Sequence, residues 1–418
     1  MLYSFAGCSM KGHRRVRDRI LGVAAVTAAA LAVTTACPSF AQTPLKLQSI
    51  SAGFKHACGI TADHVAYCWG RNADGELGNP AATTPCPESN ETCSEKPLRV
   101  AGNLSFASIS AGHDYTCAIT TAGAAYCWGS NAFGQLGIGG QAPASRPTRV
   151  GIEGVTFTFI SAGFSHTCAV TTGGAAYCWG SNAGGKLGDG GQPGGGHTVP
   201  TLVAGHVAFR SISAGYFHSC GVARDGKTYC WGRNEQGEVG TTARTLSTTP
   251  VRVAGDLASR LVYAAPEFDY TCAVDPSGAL HCWGSGCYGQ LGLDSVTGKC
   301  GTPEMPCSPT PAAVKTPAAI QSVSGSFSHS CALTTTGTVL CWGDNNEGQL
   351  GNGTMGERAP TPVPVAGNLT FRALSVGREF ACAIASDGAP YCWGRNADGQ
   401  LGSGSGGMRN APTPVGAP

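Results

Sequence analysis

The sequence predicts an all-β fold, a closed seven-bladed β-propeller with four-stranded blades. Three observations carry the prediction. All seven tryptophans stand in one tripeptide, Cys-Trp-Gly, at Trp69, Trp128, Trp179, Trp231, Trp283, Trp342 and Trp393. Their successive spacings are 59, 51, 52, 52, 59 and 51 residues, a period that belongs to propellers or solenoids. The segments around each motif read as short strands between turns, and none shows sustained helical periodicity.

The clearest copy runs from Ile160 to Gly188. Within it, β-branched and aromatic residues flank a short Gly-bearing turn between Cys168 and Cys178, which is a hairpin signal. A Phe-x-x-Ile-Ser-Ala run precedes the hairpin. A Pro-Thr-x-Val element follows a variable loop. These supply two more strands, and four strands per repeat make one blade. The first copy, from about Gln48, has no Pro-x-x-Val element before it, and the chain ends on an isolated one, Pro412–Val415. Pairing of these N- and C-terminal strands in one blade is therefore expected to close the ring and remove the sheet edges.

The recurring Gly-x-x-His-x-Cys-Ala and Trp-Gly-x-Asn-x-x-Gly-Gln-Leu-Gly elements resemble the regulator of chromosome condensation repeat. The resemblance covers about residues 48–416 in seven copies, and it suggests a secreted bacterial-type member. It implies a seven-bladed propeller, and it says less about activity, because one fold hosts many functions. Members of that family include a nucleotide-exchange factor for a small GTPase, a plant light receptor and a secreted inhibitor of β-lactamase. This chain departs from the repeat in carrying Cys on both hairpin strands. Repeat 5 is the weakest copy, with Glu267 in place of the loop Gly and Gly286 in place of the turn Asn.

The N-terminus reads as an export signal. Lys11, Arg14, Arg15, Arg17 and Arg19 precede an apolar run, Ile20 to Ala36, and Ser39-Phe40-Ala41 predicts cleavage after Ala41. The expected layout is a signal peptide over 1–41 and one propeller domain over 42–418. An alternative stays open, in which Cys37 is the lipidated first residue, although the usual aliphatic residue at −3 is missing. Residues 42–418 carry 22 Lys and Arg against 24 Asp and Glu. Without a basic surplus to neutralise phosphates, nucleic acid is disfavoured as a partner. A secreted, periplasmic or cell-surface location and a monomer are expected.

Export turns 21 cysteines into a disulfide framework. Seven pairs are each ten residues apart: Cys58/Cys68, Cys117/Cys127, Cys168/Cys178, Cys220/Cys230, Cys272/Cys282, Cys331/Cys341 and Cys382/Cys392. Folding each hairpin about its turn places the two cysteines opposite each other, within bridging distance. Two longer variable loops add Cys86/Cys93 and Cys300/Cys307. Cleavage after Ala41 leaves 19 cysteines, of which these nine pairs use 18; Cys287 is left over, and it lies upstream of Cys300 and can compete for its bridge.

Other signals are structural. Nine residues between cysteines is too wide for an ordinary zinc site. The −2 histidines His56, His166, His218 and His329 alternate with Tyr115, Tyr270 and Phe380, as packed blade residues do and ligands do not. Asn72-Ala-Asp74-Gly and Asn396-Ala-Asp398-Gly only faintly match a calcium loop, and the other copies lack the Asp. No phosphate loop, zinc-protease motif or nucleophile elbow is present. No metal, cofactor or catalytic residue is predicted.

One position varies in the manner of a contact surface. Four residues before the first Cys of each pair stand Phe54, His113, Phe164, Tyr216, Phe268, Phe327 and Arg378. They lie in the loop joining the first two strands, and equivalent loops of a propeller share one face. Aromatics and Arg are enriched in binding hot spots, and the family resemblance implies that this face contacts partners. The alternative is that the rings turn inward and plug the channel. The function read from the sequence is a binding scaffold for an unidentified protein or surface ligand, not an enzyme. Two rival readings are exchange-factor-like activity and inhibition of a secreted enzyme such as a β-lactamase.

Overall fold

A computed structural model describes residues 44–418 apart from 87, 89, 90 and 302. The predicted signal peptide, its cleavage after Ala41 and the Cys37 alternative lie outside the described residues. Seven antiparallel sheets form the predicted propeller. Among the described residues the only helical turns are two three-residue 3-10 segments, Ala183–Gly185 and Ala254–Asp256.

Blade 3 shows the plan. Its strands, from the axis outward, are Phe157–Ala162, His166–Thr171, Ala176–Ser181 and Gly196–Leu202. The second and third strands pair Cys168 with Cys178, as the spacing predicts. Blades 1 and 5 gain a fifth, outermost strand, Thr84–Pro85 and Gly298–Cys300, from the two longer loops.

Every blade carries its hairpin disulfide. Cys58 is bonded to Cys68 in blade 1, Cys117 to Cys127 in blade 2, and Cys168 to Cys178 in blade 3. Cys220 is bonded to Cys230 in blade 4 and Cys272 to Cys282 in blade 5. Cys331 is bonded to Cys341 in blade 6 and Cys382 to Cys392 in blade 7. In each the two cysteines are direct cross-strand partners, with Cα atoms 4.0–4.1 Å apart. The longer loops hold two further bridges, Cys86 to Cys93 and Cys300 to Cys307. Cys300 and Cys307 are bonded to each other, so Cys287 displaces neither partner of that bridge.

The ring does not close by pairing the chain ends. The final strand, Arg409–Pro414, pairs with Pro390–Gly394 in blade 7, whereas Ser49–Ala52 heads blade 1. The Pro-x-x-Val strand therefore completes the repeat it follows. Every blade is one contiguous repeat, and neither end of the ring lacks a strand.

Closure uses the contacts that join any two blades. Ser51 Oγ accepts from the Ala111 backbone N–H of the next blade, and Ser110, Ser161 and Ser213 repeat this toward blades 3, 4 and 5. Ser324 bonds Val376, and Ser375 bonds Ala52 at 2.8 Å, which carries the belt across the seam. In blade 5 the place is taken by Tyr263, whose hydroxyl donates to the Gly325 carbonyl. These residues line a narrow axial cavity of about 80 Å³.

The core is divided into seven clusters, one at each junction between neighbouring blades. A fully buried Trp anchors each junction. Its indole N–H donates to a backbone carbonyl of the preceding blade, as from Trp179 to Gln135 at 2.9 Å and, over the seam, from Trp69 to Gln400 at 3.0 Å. The Gly after each Trp is equally constrained. At Gly70 φ is +100°, and a Cβ would stand 2.5 Å from the Lys55 carbonyl oxygen. The recurring turn Asn of the motif caps its loop: Asn182 Oδ1 accepts from Leu187 N–H at 3.1 Å.

Candidate functional site: the aromatic mouth of the channel

The loop between the first and second strands is three residues long in five blades, as Gly53–Lys55 in blade 1, two residues long in blade 7 and five in blade 5. Its Gly is forced by close approach, since a Cβ on Gly53 would lie 2.3 Å from the Gly112 carbonyl oxygen. Phe54 N–H donates to that same carbonyl, and His113 N–H to Gly163 and Phe164 N–H to Gly215 repeat the tie from blade 2 to 3 and from blade 3 to 4. The turn after the third strand reaches the same face, where Arg71 N–H bonds the Lys55 carbonyl.

All seven predicted positions come together. Each is partly buried, neither fully exposed nor in the core. Phe54 stacks on His113 with centroids 3.9 Å apart, His113 meets Phe164 at 4.3 Å, and Phe164 meets Tyr216 at 4.6 Å. Phe268 and Phe327 are edge to face at 5.2 Å. The Arg378 guanidinium carbon lies 4.7 Å from the Phe54 centroid and 5.1 Å from that of Phe327, joining the two arcs. Phe217 and Tyr288 extend the ring outward against Tyr216 and Phe268.

The predicted disulfide residues stand apart from this mouth. On the third strands Cys68, Cys127, Cys178, Cys230, Cys282, Cys341 and Cys392 are wholly buried, and each packs into a junction core. Their second-strand partners are buried in the same way. The bridges are framework, and none of these sulfurs is offered to a ligand.

Blade 5 departs from the pattern, with Gly286 in the turn Asn position as the sequence indicates, but Glu267 does not stand in place of the loop Gly. Tyr263 pairs with Cys272, nine residues on, whereas Ser51 pairs with Cys58, seven residues on. Ala265 N–H bonds the Tyr270 carbonyl as Gly53 N–H bonds that of His56, so Ala265 stands in the Gly position. Pro266 and Glu267 are a two-residue insertion. Counting back from Cys272 aligns Glu267 with the Gly, because it takes no account of the insertion.

The insertion carries Glu267 to His113 of blade 2: Oε2 lies 3.8 Å from His113 Nε2. The other His113 nitrogen, Nδ1, lies 2.6 Å from Asp114 Oδ2. Burial opposes a charge on His113, but Glu267 and Asp114 outweigh it and hold the imidazole above its ordinary range. Burial pushes the Glu267 carboxyl up to about 7, although His113 and Arg378 pull it down. Its Oε1 is buried and has no hydrogen-bond partner among the described residues.

Charged groups fill the grooves between blades on this face. Arg71 reaches Asp74, Glu76 and Asp114 at 2.8–3.0 Å and Glu91 at 2.6 Å. A guanidinium thus sits among the carboxylates, including Asp74 of the faint calcium match. Asp398, from the other such match, lies 3.3 Å from Lys55. Burial pushes Glu76 up to about 7. Lys186 is wholly buried, bonded to Ser165 Oγ at 2.7 Å and to the Tyr216 carbonyl, and burial lowers it to about 7.

The −2 histidines are interior blade residues, as the sequence indicated. His56, His166 and His218 each bond a Thr or Ser hydroxyl of the next blade at 2.7–2.9 Å. Burial lowers His56, His218 and His329 to about 3 and keeps them neutral.

The chain matches the RCC1-like domain over residues 157–417 and the regulator of chromosome condensation (RCC1) repeat over 63–119 and 122–170. It belongs to the RCC1 repeat family. This RCC1-repeat chain is 30% identical over 375 residues to the ultraviolet-B receptor UVR8 of Arabidopsis thaliana, covering 88% of the chain and 81% of the receptor. It is also 30% identical over 362 residues to the E3 ubiquitin-protein ligase HERC2 of Homo sapiens, covering 81% of the chain but 7% of that protein. Among solved structures it is similar to human WBSCR16, with a TM-score of 0.73 and 19% identity over 85% of this chain and 94% of the other. It is similar also to Prp20p of Saccharomyces cerevisiae, with a TM-score of 0.71 and 19% identity over 85% of this chain and 87% of that one. At those identities the structures speak for the fold.

Proposed function

We propose that this RCC1-repeat propeller is an exported binding scaffold, not an enzyme, and that it docks a protein partner on the face carrying the aromatic mouth. The observation that carries this reading is the ring itself. Seven blades each contribute one residue to a single partly buried annulus, and six of those residues are aromatic or Arg in type, with His113 the seventh. The blade cores already have their own tryptophans and disulfides, so these rings are not needed to hold the blades together. Exposed Phe133 adds apolar area to the same face.

Export is supported by the signal-like residues 1–41 and by the nine cysteine pairs, which suit an oxidising compartment. A binding role accords with the relatives: the structural description of Prp20p concerns its binding to Gsp1p and histones. The test is capture of a partner from the native extracellular or periplasmic fraction by the disulfide-intact protein. Capture should be lost with Phe164→Ala or Tyr216→Ala at unchanged fold. Equal capture by these variants would refute the reading.

A further inference from the structure

We propose that the channel mouth is a receptor for one arginine side chain of the docked protein, held between the aromatic ring and the Glu267 carboxylate. This rests on the reading of the loop face as the docking surface and adds the chemistry of the partner.

The first observation is the insertion. Pro266-Glu267 lengthens only the blade 5 loop and delivers a carboxylate into a ring otherwise built of loops two or three residues long. Glu267 is 7% exposed, and its Oε1 has no hydrogen-bond donor among the described residues. A buried carboxylate oxygen without a donor is unfavourable where it stands. A donor that also brings positive charge relieves it most.

The second observation is Arg378. Its guanidinium lies against both Phe54 and Phe327, so the rings of this mouth already present their faces to a planar cation. Arginine suits the site better than lysine. It stacks on aromatic faces and forks onto a carboxylate, whereas an ammonium is a compact, strongly hydrated point charge.

The third observation is the charge of the whole face. Two sets of turns build it. The loops after the first strands are 53–55, 112–114, 163–165, 215–217, 265–269, 326–328 and 378–379. The turns after the third strands are 71–78, 130–137, 181–188, 233–240, 285–292, 344–351 and 395–402. Together they hold eleven Asp and Glu against six Lys and Arg, whereas the rest of residues 42–418 holds thirteen against sixteen. The acidity is local to this face, and such a field steers a basic partner toward it.

The groups facing Glu267 are His113, Arg378, Asp114 and Glu379, two basic and two acidic. His113 is the movable part of the arrangement, because an arriving guanidinium can take over the carboxylate that His113 now approaches.

The probe is a capped Gly-Gly-Arg-Gly-Gly peptide, compared with the same peptide carrying citrulline, an uncharged isostere. Both are titrated into the disulfide-intact protein and followed by NMR chemical shifts. The arginine peptide should bind at least about tenfold more tightly, and Glu267→Gln should abolish that preference without lowering the melting temperature. Equal binding of the two peptides by the wild type would overturn the proposal. So would a preference that survives in a folded Glu267→Gln variant. The captured partner separates this inference from its premise. Loss with Tyr216→Ala but indifference to Glu267→Gln keeps the docking face and rejects the arginine receptor, whereas indifference to both rejects both.

Discussion

Ser375 in blade 7 accepts a hydrogen bond from the backbone N–H of Ala52 in blade 1 at 2.8 Å, and Ser110 accepts the equivalent bond from Ala162 at 2.9 Å. The seam between the chain ends is thus made like an internal junction. Leu47 N–H bonds Gly388 across it as Phe157 N–H bonds Gly123 between blades 2 and 3. Ser375→Ala and Ser110→Ala should therefore destabilise by similar amounts, about 1–2 kcal/mol for an orphaned backbone donor. Thermal unfolding of the pair checks this. A far larger loss at Ser375 would mean that the seam is a special weak point.

Trp179→Phe removes the indole N–H that bonds the Gln135 carbonyl, while Thr167 Oγ1 still donates to that oxygen at 2.8 Å. The acceptor keeps a partner, so the loss is expected to be the hydrogen bond plus some packing, roughly 1–3 kcal/mol. Urea midpoints measure it. A neutral substitution would show that the junction does not depend on this bond.

Peptide mapping without reduction should link Cys168 to Cys178 and Cys86 to Cys93. Reduction should lower the melting temperature. Each hairpin bridge contributes at most about 3 kcal/mol on the chain-entropy estimate, and the seven are not additive. Free thiols at Cys168 and Cys178 would contradict the paired geometry.

Glu267 gives a pH signature with a definite sign. Its folded-state value, about 7, lies above the ordinary carboxyl value of 4.5 because burial outweighs the attraction of His113 and Arg378. Below pH 4.5 both the folded and unfolded forms keep the proton, and the group is neutral to stability. Between pH 4.5 and 7 the unfolded chain ionises first, so stability falls as pH rises. Glu267→Gln should then be more stable than wild type at pH 8, by up to about 3 kcal/mol from the 1.36 kcal/mol per pH unit conversion. The two should converge near pH 4. The buried histidines act in the opposite direction, since their lowered values cost stability as pH falls from 6.5 toward 3. They are common to both proteins and cancel in the comparison. A variant less stable than wild type at pH 8 would contradict the sign.

Much of this was legible in the sequence because the repeat writes it seven times. A fixed spacing of ten set the Cys168–Cys178 register, and alternation with Tyr115 and Tyr270 exposed the histidines as packing residues. The seam is not legible in the same way, because a Pro-x-x-Val element shows a strand without showing which third strand it pairs with, and both phases of a repeat have the same text. The place of Glu267 is hidden for a related reason. The signal lay on the other side of the loop, in the distance from Tyr263 to Cys272. The carbonyls that receive the tryptophans could not be read at all, since a backbone acceptor leaves no mark on residue identity.

The central claim, that the aromatic mouth is the docking site, is tested most directly by the dissociation constant of the captured partner. Wild type is compared with Tyr216→Ala and with Asp225→Ala, which lies on the exposed turn at the opposite end of blade 4. Truncating one hot-spot aromatic costs about 2 kcal/mol, so Tyr216→Ala should weaken binding roughly thirtyfold. Its melting temperature should stay close to that of the wild type, and Asp225→Ala should bind like the wild type. Unchanged affinity in Tyr216→Ala together with a lowered melting temperature would assign the ring to the core and contradict the account.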